Sequence, residues 1–233
     1  MQQFFEPVNI DGRRYDFTEL TFAQAIAIAR IPQIKNEARL TLFLRHVLGD
    51  SLDPLKMTAQ ERYFLLLSYL AQQSALADGV NPQSFLKRTE KPFLHASEPE
   101  DGISVQIMTG RLSEILENHC RDLVDWVTGT LAMQLICPEL PALPKTNDED
   151  AVIIDAFKSR CKAIGELPTS AFNRLYAAYT RHMTDLAVLV HLGVDQHGIT
   201  VFGGADDAPA RFRSSAAFIG SVGQLVRSID AAR

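Results

Sequence analysis

Thr58-Ala59-Gln60-Glu61-Arg62-Tyr63-Phe64-Leu65-Leu66-Leu67-Ser68-Tyr69-Leu70 is the stretch whose reading decides the fold class. Thr58 and Glu61 stand three residues apart, the spacing at which a threonine hydroxyl and a glutamate carboxylate each satisfy the other's orphan backbone N–H at a helix start. Behind that capping box, Tyr63, Leu66, Leu67 and Leu70 recur on one helical face. The stretch predicts an amphipathic helix, and its neighbours repeat the pattern.

Working toward the N-terminus, Asn36 stands where it could cap a helix carrying Leu40, Phe43, Leu44, Val47 and Leu48, which Gly49 ends. Thr21 and Gln24 form a second capping box, for Phe22 to Arg30, with Pro32 as the stop. Before these helices, Val8 and Ile10 alternate with polar residues, Asp11-Gly12 follows, and Tyr15 and Phe17 alternate again. Asp-Gly between alternating runs predicts a two-residue hairpin turn, in which both central residues take positive φ.

Working toward the C-terminus, prolines and glycines (Gly79, Pro82, Pro92, Pro99, Gly102) interrupt residues 78–108, with one strand expected at Ile103, Val105 and Ile107. From Thr109 the period becomes helical through Leu112, Ile115, Leu116, His119, Leu123, Trp126 or Val127 and Leu131. This is compatible with one helix reaching Ile136, with Gly129 as a site for a bend. Asp148 to Ile164 reads as a helix with Ile153, Phe157 and Ile164 inward. Ser170 is expected to cap another, carrying Phe172, Leu175, Tyr176, Tyr179, Met183, Leu186 and Val190 on one stripe. A turn at Gln196-His197-Gly198, a short strand from Ile199 to Phe202, a loop over 205–215 and a terminal helix carrying Ile219, Val222, Leu225, Val226 and Ile229 complete the chain. The expected fold is mainly α with a few short β-strands (α+β), an N-terminal hairpin followed by packed helices. The organisation is 1–137, a proline-rich connector at 138–147, and 148–233, or one continuous domain.

The 233 residues carry 23 Lys+Arg against 28 Asp+Glu, a formal charge of −5, and are 46% apolar. That apolar share excludes a disordered chain, and the mild acidity argues against nucleic acid as the main ligand. Met1-Gln2-Gln3-Phe4-Phe5-Glu6-Pro7 lacks a basic start before an apolar run, so no signal peptide is expected. Runs such as Phe64 to Leu67 fall far short of the roughly 20 residues that span a bilayer, so no membrane insertion is expected either. Cys120, Cys137 and Cys161 show no C-x-x-C spacing and read as reduced, buried thiols rather than as a zinc or redox site.

The search for reactive groups is negative. Gly220-Ser221-Val222-Gly223 is not a G-x-S-x-G elbow and reads as a helix start. His182, His191 and His197 lack the i, i+4 spacing of a helical metal site, although these histidines with Asp185 or Asp195 form the one candidate set. Gly203-Gly204-Ala205-Asp206-Asp207 lacks the lysine and hydroxyl of a phosphate loop and reads as a turn. Asp148-Glu149-Asp150 suits a helix N-terminus. No catalytic residue, metal ligand or cofactor is assigned, and no enzymatic activity is expected. Two basic clusters remain as candidate partner-binding residues: Arg13-Arg14 with Tyr15 beside the hairpin turn, and Arg211-Phe212-Arg213. The second reads either as a partner-contact anchor, since Arg and aromatics concentrate interface energy, or as a loop pinned by one phenylalanine.

Several strings carry a resemblance. Asp11-Gly12-Arg13-Arg14-Tyr15-Asp16-Phe17-Thr18-Glu19-Leu20-Thr21-Phe22, Thr58-Ala59-Gln60-Glu61-Arg62-Tyr63, Leu167-Pro168-Thr169-Ser170-Ala171-Phe172 and Ala210-Arg211-Phe212-Arg213 resemble tail and baseplate proteins of long-tailed bacteriophages. The resemblance implies a structural subunit or assembly factor with other tail or baseplate proteins, or further copies of itself, as partners. It implies a place in the host cytoplasm during assembly and in the virion tail if structural. It carries no catalytic residues. The competing expectations are a cytosolic helical adaptor that binds one partner, and an enzyme whose site uses His182, His191 and Asp195.

Overall fold

The structure, a computed structural model, describes residues 4–49, 52–73, 81–87, 91–203, 208–218 and 220–231. Gly79, residues 204–207 of the glycine–aspartate turn, Ile219 and the side chain of Ser221 lie outside the described residues. The described chain is mainly helical with short antiparallel strands. β1 (Val8–Ile10) and β2 (Arg13–Tyr15) lead into α1 (Phe22–Ala29), α2 (Asn36–Leu48) and α3 (Ala59–Ala71). A 3-10 turn at Pro82–Phe85 precedes β3 (Ser104–Val105), α4 (Gly110–His119), α5 (Leu123–Gln134) and β4 (Leu135–Ile136). After the connector come α6 (Asp150–Gly165), α7 (Thr169–Leu186), β5 (His191–Asp195), β6 (Gly198–Gly203), β7 (Ala208–Ala210), a 3-10 turn at Ser214–Ala217 and α8 (Gly220–Ala231).

The hairpin forms as the Asp-Gly signal requires. Asp11 and Gly12 have φ of 47° and 73°, and Val8 faces Tyr15 while Ile10 faces Arg13. Its two ends are welded to α3 by rings: Phe5, before β1, stacks on Tyr69 at 4.4 Å between centroids, and Phe17, after β2, meets the same tyrosine edge-on at 5.5 Å, as does Phe43 of α2 at 5.1 Å. Gln72 adds a bracket, accepting from the Glu6 N–H and donating to the Glu6 carbonyl at 3.1 Å. Burial pushes the Tyr69 phenol up to about 12.

Both expected capping boxes are present, at Thr21–Gln24 and Thr58–Glu61. α3 differs from the expected one-sided helix, because Gln60, Arg62, Leu65 and Ser68 are buried along with the Tyr63–Leu70 face. It is the central rod, wrapped by the hairpin, α2, α4 and both 3-10 turns.

Its burial requires partners for its polar groups. Arg62 is fully buried and donates to the Glu37 carbonyl at 2.8 Å and the Thr41 hydroxyl at 3.0 Å of α2. The Glu37 carboxylate lies 3.5 Å from the same guanidinium and accepts from the Tyr63 hydroxyl at 2.6 Å. Gln60 reaches across to the end of α7, donating to the Leu186 carbonyl at 2.9 Å.

Four expectations are corrected. Asn36 does not cap α2: it is buried and donates to the Tyr63 hydroxyl. The Glu117 carboxylate of α4 accepts the Glu37 and Ala38 N–H groups instead, at 2.7 and 3.3 Å, so the cap comes from 80 residues away. The single helix expected from Thr109 to Ile136 is two, broken at Cys120–Asp122 rather than bent at Gly129. Asp122 caps α5 by accepting the Asp125 N–H at 2.9 Å, and Leu135–Ile136 leave the helix to pair with β3. Ser170 lies inside α7, whose N-cap is Pro168. The buried stripe of α7 runs through Leu175, Ala178, His182 and Leu186, so Tyr176 is exposed and Val190 falls beyond the helix end. The stretch after α7 is a three-stranded antiparallel sheet in the order β5-β6-β7, not a lone strand and a loop.

The main core joins Phe5 through Leu116 to Ile153, Phe157, Ile199, Val201, Phe212 and Val226, crossing the 138–147 connector. A second cluster packs Val105, Leu131, Leu135, Ile164, Leu175 and Leu186 between α5, α6 and α7. Two further buried arginines wire helix ends. Arg39 donates to the Ile31 and Ala29 carbonyls after α1 and pairs with Asp230 of α8 at 2.5 Å. Arg160 of α6 donates to the Ala132 and Leu135 carbonyls at the end of α5.

Two outcomes follow from this packing. A methyl group at Gly110 would collide with the Pro54 carbonyl and the Arg62 guanidinium, so Gly110→Ala should lower unfolding stability by about 1–3 kcal/mol in urea titrations. Glu117 is held up at about 7, by burial first and then by the Glu37 charge, against the backbone bonds and Lys35 that favour its ionised form. A carboxyl raised on folding contributes stability that is complete below about 4.5 and disappears as pH rises through about 7. Glu117→Gln should therefore gain on the parent protein by on the order of 2 kcal/mol between pH 5 and pH 8, measured by denaturation at each pH.

Candidate functional site

The two basic clusters differ in what they present. In the hairpin, Ile10 and Arg13 flank the two-residue turn as a hydrogen-bonded pair, and the pairing alternates, so Val8 and Tyr15 form the next such pair. The backbone N–H and C=O of Asn9 and Arg14 consequently point outward, one set along each edge. Asn9, Arg13 and Arg14 are exposed, whereas Tyr15 lies beneath them with 2% of its surface accessible. The Arg13 guanidinium sits 5.5 Å from the Tyr15 ring centroid, and Arg14 makes a forked contact with Asp16 at 2.8–3.2 Å. Phe4, 92% exposed, flanks β1.

The Arg211-Phe212-Arg213 triplet faces the chain itself. Arg211 pairs with Asp195 and donates to the His197 carbonyl at 2.7 Å, closing β7 onto the β5–β6 turn. Burial works against the Asp195 charge, but the Arg211 guanidinium and the His197 N–H hold its carboxyl below the usual carboxylate range. Phe212 is buried and meets Phe85 edge-on at 4.9 Å. Burial, followed by the proximity of Arg211 and Arg39, lowers the pKa of Arg213. The triplet pins the segment after the sheet to the core.

The structure does not gather His182, His191 and Asp195 into a ligand set. His182 is buried in α7, His191 opens β5 with its ring 5.3 Å from Phe202, and Asp195 closes β5 against Arg211. Among the described residues no group of three or more His, Cys, Asp and Glu side chains is placed to hold a metal ion. Cys120, Cys137 and Cys161 are free thiols, and burial pushes Cys120 up to about 12 and Cys161 up to about 11. No helix among the described residues is long and apolar enough to cross a membrane.

Sequence reasoning missed a solvent-open cavity of about 380 Å³ between α5, α7 and the β5–β6 hairpin. Its walls include Ile107, Met108, Val127, Met183, Val194 and Phe202. These residues come from four separate stretches, and no short-range pattern marks them. A more polar hollow of about 660 Å³ lies near Lys56, His95 and Arg111, but Arg111 is already held by Asp150 and the Thr146 carbonyl.

Comparison with protein-family models, curated protein sequences and solved structures returned no match for this chain.

The contrast between the clusters is measurable. Phe212→Ala should cost about 3–5 kcal/mol of unfolding stability, as for a core aromatic. Arg14→Ala should leave the denaturation midpoint unchanged within the error of the titration, because its ion pair is exposed.

Proposed function

We propose that this chain is a non-enzymatic component or assembly factor of the tail or baseplate of a long-tailed bacteriophage, acting through protein–protein contacts. The observation that carries the reading is the hairpin: Phe5 and Phe17, at its two ends, are locked onto Tyr69 of α3, while Asn9 and Arg14 aim backbone donors and acceptors outward. An edge held rigidly in place loses little entropy when another strand pairs with it, which is what strand addition requires. The strings that resemble tail and baseplate proteins include the turn and second strand of this hairpin and the capping box of the helix beneath it. Asn9, Arg13 and Arg14 are the contact residues in this reading, with Tyr15 as their support and Arg211, Phe212 and Arg213 holding the sheet behind. The partners are other tail or baseplate proteins or further copies of the chain, met in the host cytoplasm during assembly and retained in the tail if the role is structural.

The test removes the edge without removing the core. In Asn9→Pro the outward N–H of β1 is lost, and in Arg14→Glu the charge on β2 is reversed. Both variants should keep parental helicity by circular dichroism, yet complement particle assembly poorly, with tail yield reduced at least about tenfold by quantitative mass spectrometry of purified particles. Parental yields from both would refute the hairpin as the docking element.

A further inference from the structure

We propose that the cavity between α5, α7 and the β5–β6 hairpin is a binding site for a small, uncharged, apolar molecule. Its volume of about 380 Å³ falls in the range of small-molecule sites, about 300–1,000 Å³. The chemistry of its lining selects the ligand class. No Asp, Glu, Lys or Arg is among the described lining residues, and the one imidazole there, His191, packs with its ring 5.3 Å from that of Phe202, so a charged ligand would shed its hydration without meeting a permanent countercharge.

Six of the polar side chains in the lining are already committed to each other or to backbone. The Tyr179 hydroxyl donates to Gln134 Oε1 at 2.8 Å, and Gln134 Nε2 donates to the Gln106 carbonyl at 3.0 Å. The Thr130 hydroxyl donates within its own helix, to the Trp126 or Val127 carbonyl. Thr180 and Thr184, at the mouth, donate to the Tyr176 and Thr180 carbonyls of α7. Gln60 is held by Leu186 and Leu189.

Water held well in a protein interior needs two to four hydrogen-bonding partners, and this lining offers it few donors. Displacing poorly held water with apolar surface is favourable. Met108 and Met183 give two of the walls the adaptable shape that suits an aromatic or branched hydrocarbon framework.

The experiment uses two probes with one ring framework: neutral N-phenyl-1-naphthylamine and its sulfonated counterpart 8-anilinonaphthalene-1-sulfonate. Titrated against the full chain and followed by fluorescence, the neutral probe should bind saturably, one per chain, at micromolar concentration and at least about tenfold more tightly than the sulfonate. Thr180→Trp and Thr184→Trp fill the mouth from exposed positions on α7, and each should weaken neutral-probe binding at least about tenfold. Val152→Trp, on an exposed face of α6 outside the lining, should leave it within about twofold. Circular dichroism of each variant fixes the comparison to folded protein. No saturable binding of the neutral probe, equal affinity for the sulfonate, or undiminished binding in both mouth variants would overturn the proposal. The site is independent of the assembly reading, since Asn9→Pro and Arg14→Glu should bind the probe as the parent does.

Discussion

A helix buried on all sides must bring its polar groups with it, and the Arg62 guanidinium of α3 is where that constraint bears hardest. With no accessible surface, it bonds the Glu37 carbonyl and the Thr41 hydroxyl, and it faces the Glu37 carboxylate. Removing either charge would strand the other in the interior, a loss on the order of 3–5 kcal/mol. The pair therefore fixes how α2 crosses α3. Glu117 then fixes how α4 meets the start of α2, and Tyr69, further along α3, fixes where the hairpin lies. Arg39 and Arg160 extend the same device, each tying the carbonyl end of one helix to another part of the chain.

This wiring explains which features were legible in the sequence. Local chemistry was: Thr21–Gln24, Thr58–Glu61 and Asp11-Gly12 each involve residues at most three apart, and each forms the structure its spacing requires. The break at Asp122 was also written locally, as an aspartate able to accept the N–H three residues on, but the apolar period running across it reads as continuous. The cap on α2 was not legible, because its acceptor is Glu117 and only the tertiary fold brings it near. Nor were the buried arginines, since Arg is almost never fully buried unless paired, and the partners of Arg39, Arg62 and Arg160 are backbone carbonyls and distant acids. Of the β5-β6-β7 sheet only the central strand and the turn before it were legible, because Gly193 and Pro209 interrupt the alternation that marks the strands on either side.

The same distinction applies to function. The hairpin itself follows from an Asp-Gly turn, so Arg13 and Arg14 could be named from sequence, whereas the outward backbone of Asn9 and the burial of Tyr15 emerge only from the register and the packing. For Arg211-Phe212-Arg213, composition left an interface anchor and a pinned loop equally open, and the structure shows all three side chains turned toward Asp195, Phe85 and the Arg39–Asp230 pair. The cavity is the opposite case: its walls come from α4's approach, α5, α7 and β5–β6, so only the assembled chain contains it.

Native-state amide hydrogen exchange tests the central claim most directly, because it reads the rod and the edge in one experiment. The amides of Tyr63, Leu66 and Leu67 should exchange only through global unfolding, with the denaturant dependence of the whole chain, while those of Asn9 and Arg14 exchange orders of magnitude faster. Exchange of the α3 amides through local opening, or protection of Asn9 and Arg14 equal to that of α3, would contradict the account.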